Sequence, residues 1–195
     1  GLIVNSTSNI TETGDSKIEV SKYLKLNGVI DLQGKSKLVQ TLNSEWAPTS
    51  AGSIKRNHQG VGNRYSYNYW SSPVGPINAA TNNNNYTVKG VFKDGTTSTP
   101  KDITWTGGYD GNVNTSPISL ARYWLWKFSN GTGYGNWAKI DENSPLVHSQ
   151  GFTVKDASAV GSGVQNYTFV GKPNNGSIAL NSVLPDNYFL VGNPY

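Results

Sequence analysis

Cysteine and methionine are absent from this 195-residue sequence, and charged residues make up only 14% of it. Without cysteine the chain has no disulfide, no zinc–thiolate centre and no thiol nucleophile. The low charge, together with 11% aromatic residues, argues against intrinsic disorder, because disordered chains combine high net charge with few aromatics. Since position 1 is Gly1 and no methionine follows it, we expect a processed chain or part of a longer one.

Long apolar runs are also missing. No stretch approaches the roughly 18 consecutive apolar residues of a membrane-spanning helix, so we predict no membrane span. A basic segment followed by an apolar one, typical of a signal peptide, is not present either. The net charge of +4 is mild, and the densest lysines, from Lys17 to Lys37, have Glu19 and Asp31 among them. We interpret that run as a solvated strand face and expect no nucleic acid as a partner.

Helical periodicity is almost absent, and short alternating runs take its place. Glycine-containing pairs that favour tight turns separate these runs, for example at 27–28, 94–95 and 130–131. Two of the predicted strands are Tyr86–Phe92 and Tyr123–Phe128. Many short strands between such turns predict an all-β fold.

Residues 1–60 contain a repeat, because Val20, Leu26, Leu32 and Leu38 are six residues apart. A six-residue period with inward aliphatic side chains is typical of a β-solenoid, in which each coil stacks on the last. A meander of short antiparallel strands gives the same spacing. The sequence therefore predicts a solenoid-like or meander segment over this range.

Residues 61–195 differ in composition. Five of the six tryptophans and ten of the eleven tyrosines lie at or beyond position 65. A larger aromatic core is typical of two sheets packed face to face. We therefore predict an antiparallel, jelly-roll-like β-sandwich for this second domain.

Several long segments occur in a fixed order, and they point to one group of proteins. They are IDLQGKSKLVQ (30–40), YNYWSSPVG (67–75), ITWTGGYDG (103–111), GKPNNGSI (171–178) and LVGNPY (190–195). In this order they resemble segments of large cell-surface proteins of the Bacteroidetes, especially flavobacteria.

That resemblance implies an exported protein. Such proteins are cargo of the type IX secretion system, which implies a cell-surface or extracellular location outside the outer membrane. The sequence departs from the pattern at Val154, where methionine is usual, and at Asp156, where glycine is usual. In those proteins the last motif continues, so we expect either that the final strand lacks its continuation after Tyr195 or that the protein is cut there.

Carbohydrate binding is suggested by the excess of tryptophan, tyrosine and asparagine. Aromatic rings stack on the apolar faces of sugars, while amide side chains bond their hydroxyls. Tyr134 and Trp137 lie in a glycine-rich loop, where exposed binding residues are common, and Trp70 lies in the YNYWSSPVG segment. These three are the candidate ligand-binding residues, although packing in the core is the more common role of any single aromatic residue.

Calcium is the one candidate ion, because it is bound by carboxylate and carbonyl oxygens. Asp94, Asp102 and Asp110 lie around neighbouring predicted turns and are the candidate ligands. The alternative is that the aspartates of the two Asp-Gly pairs simply form turns. No other cofactor is indicated.

Catalytic patterns are weak. The two histidines, His58 and His148, accompany no G-x-S-x-G elbow. Asp141 and Glu142 are adjacent, so on a strand they point to opposite faces and cannot flank one glycosidic bond. We therefore expect no enzyme.

Two functions remain open from the sequence. The first is a structural or adhesive module that associates with other surface modules or with copies of itself through open strand edges. The second is a carbohydrate-binding module of an exported polysaccharide-degrading protein.

Overall fold

A three-sided coil of short strands forms the N-terminal part of the chain. The computed structural model describes residues 1–157, 163–180 and 182–195. The first coil contains β1 (Leu2–Val4), β2 (Asn9–Glu12) and β3 (Lys17–Val20). The second contains β4 (Tyr23–Leu26), β5 (Val29–Leu32) and β6 (Lys37–Gln40), and the third contains β7 (Glu45–Trp46) and β8 (Ser53–Gln59).

Parallel pairing between coils confirms the solenoid interpretation and excludes the meander. Leu2 pairs with Leu24, and Ile10 pairs with Ile30, each in parallel register. Stacked residues are 20 to 24 positions apart in the chain. The six-residue spacing seen in the sequence instead joins successive strands along the chain, from β3 of the first coil to β4, β5 and β6 of the second. Leu24 and Ile30 of the second coil are fully buried, because a coil covers them on either side.

Two glycines allow the coils to approach closely at one corner. A Cβ atom on Gly28 would stand 2.2 Å from the Ser8 carbonyl oxygen of the first coil. A Cβ atom on Gly52 would stand 2.1 Å from the Gly28 carbonyl oxygen of the second coil. Both distances are far inside van der Waals contact, so no residue with a side chain fits either position without displacing a coil.

The remaining described strands are short and connect through turns. They are β9 (Tyr67–Trp70), β10 (Val74–Gly75), β11 (Phe92–Asp94), β12 (Lys101–Asp102), β13 (Thr104–Thr106), β14 (Ser119–Ala121), β15 (Trp126–Lys127), β16 (Ser129–Gly131), β17 (Ala138–Lys139), β18 (Phe152–Lys155), β19 (Asn166–Pro173) and β20 (Tyr188–Phe189). One helical turn, α1 (Val88–Val91), and two 3-10 turns, Arg122–Trp124 and Tyr134–Asn136, complete the described elements.

Strand β8 belongs to the solenoid and to the C-terminal part at once. It pairs in parallel with β5, and it pairs antiparallel with β19 over six residue pairs from Gln59–Asn166 to Ile54–Gly171. The resulting sheet has the order β12-β11-β19-β8-β5-β2, with β10 also paired to β19. One continuous hydrogen-bonded sheet therefore contains strands from both sides of the domain boundary predicted at residue 60.

An aromatic core joins this large sheet to a smaller one of order β17-β15-β18-β9. Phe92 and Tyr167 of the large sheet stack with their ring centres 4.7 Å apart. Trp70 and Phe152 of the small sheet approach the Phe92 ring to 5.2 and 6.0 Å. The all-β prediction is confirmed. Within residues 61–195, where the antiparallel sandwich is predicted, the described strand pairs are antiparallel except β13 with β14, which pair in parallel.

A buried carboxylate fastens the loop after β8 to the core. Asp156 accepts hydrogen bonds from the Gly62 backbone N–H at 2.6 Å, from the Tyr167 hydroxyl at 2.6 Å and from the Asn68 amide at 3.3 Å. Burial raises the pKa of Asp156, and the three donors act in the opposite direction. The residue that departs from the glycine of the resembling proteins is therefore the centre of a hydrogen-bond network.

The strand predicted over Tyr86–Phe92 is wrong for most of its length. Residues Val88–Val91 form the helical turn α1, because the Thr87 hydroxyl accepts a hydrogen bond from the Gly90 N–H at 3.1 Å and caps it. Strand β11 begins only at Phe92. Across the residues that the structure describes, no helix is long and apolar enough to cross a membrane.

Candidate functional site

The small sheet turns one face to the aromatic core and the other to solvent. Trp70 of β9 pairs with Phe152 of β18, and both contact the core. The next pair along these strands is Tyr69 and Thr153. Because successive strand residues point to opposite faces, this pair lies on the outer face, and Tyr69 is more than half exposed.

Thr153 organises the centre of that outer face. It pairs with Trp126 of β15, which in turn pairs with Lys139 of β17. The Thr153 hydroxyl donates to the Trp124 carbonyl at 2.8 Å and accepts from the Trp126 N–H at 3.2 Å. These two bonds hold both indole-bearing residues at the outer face.

The 3-10 turn Arg122–Trp124 changes which side chains share this face. The sequence predicted a strand over Tyr123–Phe128, which would place Tyr123 on the same side as Leu125. Leu125 is fully buried, but Tyr123 lies with Trp124 on the outer side, where their ring centres are 4.7 Å apart. The turn breaks the alternation and adds a third aromatic ring from this segment to the outer face.

The glycine-rich loop after β16 closes one side of the site. The Asn136 side-chain oxygen accepts hydrogen bonds from the N–H groups of Thr132 and Gly133, each at 3.1 Å, and so fixes the loop. Tyr134 at its tip is 90% exposed. Trp137 is half-buried against Phe128, with ring centres 5.0 Å apart.

Together these elements form a depression of about 380 Å³, which we call the aromatic groove. Seven aromatic side chains line it: Tyr67, Tyr69, Tyr123, Trp124, Trp126, Tyr134 and Trp137. Burial, with the nearby hydroxyls of Tyr134, Tyr69 and Tyr123, raises the pKa of Tyr67. Its hydroxyl therefore stays neutral and able to donate a hydrogen bond. The groove offers ring faces for stacking and hydroxyls for hydrogen bonding.

One protein-family profile matches residues 1–195. The chain belongs to the family described as Domain of unknown function (DUF8693). No curated protein and no solved structure matches it.

Two of the three predicted carbohydrate-binding residues lie in the groove. Tyr134 and Trp137 both line it, as their glycine-rich loop indicated. The other five aromatic residues are not among the predicted ligands, although the alternation in YSYNY (65–69) and the strand face shared by Trp124 and Trp126 are signals for them. The sequence alone does not show the strand pairing that brings these distant segments together.

Trp70, the third predicted residue, lies on the opposite side of the small sheet. Its ring is 5.2 Å from those of Phe92 and Tyr167 and 5.1 Å from that of His58. It packs in the aromatic core and contributes nothing to the groove.

The three predicted calcium ligands of the DUF8693 chain are not brought together. Asp94 is buried and accepts hydrogen bonds from Thr96 and from the Ile118 N–H at 3.0 Å, as a turn-forming aspartate does. Asp102 is exposed and pairs with Lys93 at 2.7 Å.

Asp110, the last of the three, pairs with Arg64 at 3.4 Å on the surface. In residues 1–157, 163–180 and 182–195, no group of three or more histidine, aspartate or glutamate side chains is placed to hold a metal ion.

The residues considered for catalysis have structural partners. Glu142 is buried and receives two hydrogen bonds from the Arg122 guanidinium, at 2.8 and 2.9 Å. His148 lies 3.3 Å through its Nε2 atom from the Ala179 carbonyl oxygen. Burial lowers the pKa of His58, and the nearby Arg56 lowers it further. Neither histidine lines the aromatic groove.

Proposed function

We propose that this DUF8693 domain is a non-catalytic module that binds carbohydrate through the aromatic groove. The observation that carries the proposal is the gathering of seven aromatic side chains on the solvent face of a sheet whose other face already forms the core. None of the seven rings belongs to the buried hydrophobic core on the inner side of the sheet. Exposed apolar patches of this kind mark interaction sites.

The shape and chemistry of the groove suit a sugar. Its volume of about 380 Å³ lies within the ~300–1,000 Å³ of small-ligand sites. Indole and phenol rings stack on the C–H faces of pyranose rings, and tyrosine hydroxyls bond their hydroxyl groups. The groove is open to solvent along the sheet, so a polysaccharide chain can enter without threading.

The resemblance to exported Bacteroidetes surface proteins supports the same proposal. Polysaccharides are among the ligands that a protein outside the outer membrane can reach. We place the domain on the cell surface or in the extracellular medium, as a part that attaches a larger protein to its target.

Replacing Tyr134 by alanine is expected to weaken polysaccharide binding about tenfold. The loss of one aromatic stacking platform costs roughly 1–3 kcal/mol where nucleobases stack on aromatic side chains, and the low end of that range is a tenfold effect. Affinity gel electrophoresis against a panel of plant and algal polysaccharides measures this. At 90% exposure, Tyr134 can be removed without disturbing the core.

The matched control is Tyr188→Ala, because Tyr188 is 70% exposed and lies outside the groove. It should bind as the unaltered protein does. The proposal is contradicted if no polysaccharide of the panel retards the protein. It is also contradicted if Tyr188→Ala loses as much affinity as Tyr134→Ala.

As a second function, we propose that the domain associates through the open end of its solenoid. Strands β1, β2 and β3 each lie at the edge of their sheet, and no described strand pairs with their outer edges. The inward side chains of this first coil, Leu2, Ile10 and Ile18, are only partly buried because no further described coil covers them. Unpaired edges beside an apolar surface favour pairing with another chain.

Ile18→Lys is expected to abolish concentration-dependent association, because a charge at the open end of the coil disfavours stacking of a second copy. Sedimentation velocity over a wide range of concentrations measures it. The control is Val61→Lys, which adds the same charge at an exposed residue outside the solenoid coils. Unaltered protein that sediments as a monomer at every concentration contradicts this second function.

A further inference from the structure

A lysine stands on the groove side of strand β18. Lys155 is two residues beyond Thr153, so strand alternation places it on the same outer face, and it pairs with Tyr67 of β9. Its Nζ atom lies 3.7 Å from the centre of the Trp124 ring and 4.5 Å from the centre of the Tyr67 ring. The ammonium group is thus held by cation–π contacts against two of the rings that line the groove, while Lys155 itself lies next to the lining residues.

A second lysine, Lys139, has a different role. Its Nζ atom donates to the backbone carbonyl oxygens of Arg122, at 3.2 Å, and of Tyr123. It also lies 4.7 Å from the centre of the Trp126 ring. Because these hydrogen bonds hold the 3-10 turn Arg122–Trp124, Lys139 positions the aromatic residues of that turn. Its ammonium group also adds positive charge near them.

No carboxylate balances this charge inside the groove. None of the groove-lining residues is an aspartate or glutamate. Among the residues described, no ion pair involves Lys155, and Asp110, which raises the pKa of Lys155, is itself paired with Arg64. Burial against the rings acts more strongly and lowers the pKa of Lys155, because it strips water from the ammonium group. An incoming anion restores that lost solvation with a charge-assisted hydrogen bond.

From this arrangement, and resting on the proposed carbohydrate function, we infer that the groove selects anionic polysaccharides, whose sugars carry carboxylate or sulfate groups, through Lys155. Aromatic rings bind the sugar faces, and the Lys155 ammonium binds the negative substituent beside them. A neutral chain of the same backbone gains the stacking but not the ion pair.

The test compares each anionic polymer with its neutral counterpart. Isothermal titration is carried out with polygalacturonate against its methyl-esterified form, and with dextran sulfate against dextran. The unaltered protein is expected to prefer at least one charged polymer by about tenfold, the size of one hydrogen bond to a charged group. Lys155→Gln is expected to remove that preference and to leave binding of the neutral polymer within about twofold.

Lys22→Gln is the matched control, because it removes the same charge from an exposed lysine in the solenoid. If it lowers binding of the charged polymers as much as Lys155→Gln does, the attraction comes from net charge and the inference is overturned. Equal binding of charged and neutral polymers overturns the inference while the carbohydrate function stands. Binding of neither kind overturns both.

Discussion

Phe92→Ala is expected to lower the free energy of unfolding by about 3–5 kcal/mol, the range for removal of a fully buried phenylalanine. Phe92 is completely buried and stacks on Tyr167, while the rings of Trp70 and Phe169 each approach it to 5.2 Å. It therefore contacts side chains of both sheets. Its loss leaves a cavity where the sheets meet, and strands on two sides cannot both move in to fill it.

Urea unfolding followed by tryptophan fluorescence measures the effect, because Trp70 reports directly on the ring that is removed. Leu42→Ala is the control, since Leu42 is 84% exposed and its truncation should change stability by less than about 0.5 kcal/mol. A loss below about 1 kcal/mol for Phe92→Ala shows that the two sheets do not share this core.

Gly52→Ala is expected to destabilise the protein by roughly 1–3 kcal/mol or more, although it adds a single methyl group. The added Cβ atom meets the Gly28 carbonyl oxygen at 2.1 Å. The obstacle is backbone, which cannot rotate away as a flexible side chain does. The coils must separate at this corner, and the Gly52 N–H bond to the Leu26 carbonyl, 2.8 Å long, is strained with them.

Chemical denaturation compares this variant with Gly107→Ala. Gly107 has no atom within 4 Å of the position of an added Cβ, so the same substitution there should change stability little. If both variants lose the same amount, the effect comes from replacing glycine in general and the close contact of the coils is contradicted.

In the solenoid, the spacing of aliphatic residues predicts the coil but not how the coils pair. The spacing of Leu26, Leu32 and Leu38 indicates a coil, because each lies on a different side of the second coil. The pairing between turns joins residues 20 to 24 apart, and no periodicity over so few coils distinguishes it from antiparallel pairing. Only the backbone hydrogen bonds, and the glycine corner they create, decide between the two.

The sequence could likewise predict some residues of the aromatic groove and not others. Tyr134 and Trp137 could be predicted, because a glycine-rich loop is exposed whatever the sheet beneath it does. Trp70 could not be separated from Tyr69 by the sequence, since alternation places them on opposite faces without saying which face is inside. Packing against the large sheet decides which face is inside. Phe92 and Tyr167, which make that contact, are distant from Trp70 in the chain.

Strand β8 has a consequence for how the protein acquires its shape. Its antiparallel partner lies 107 residues further along, at the pair of Gln59 and Asn166. Closing so large a loop costs entropy before any contact repays it, and contacts of such high sequence separation slow folding. The final coil therefore gains its second neighbour, β19, only after most of the polypeptide is available.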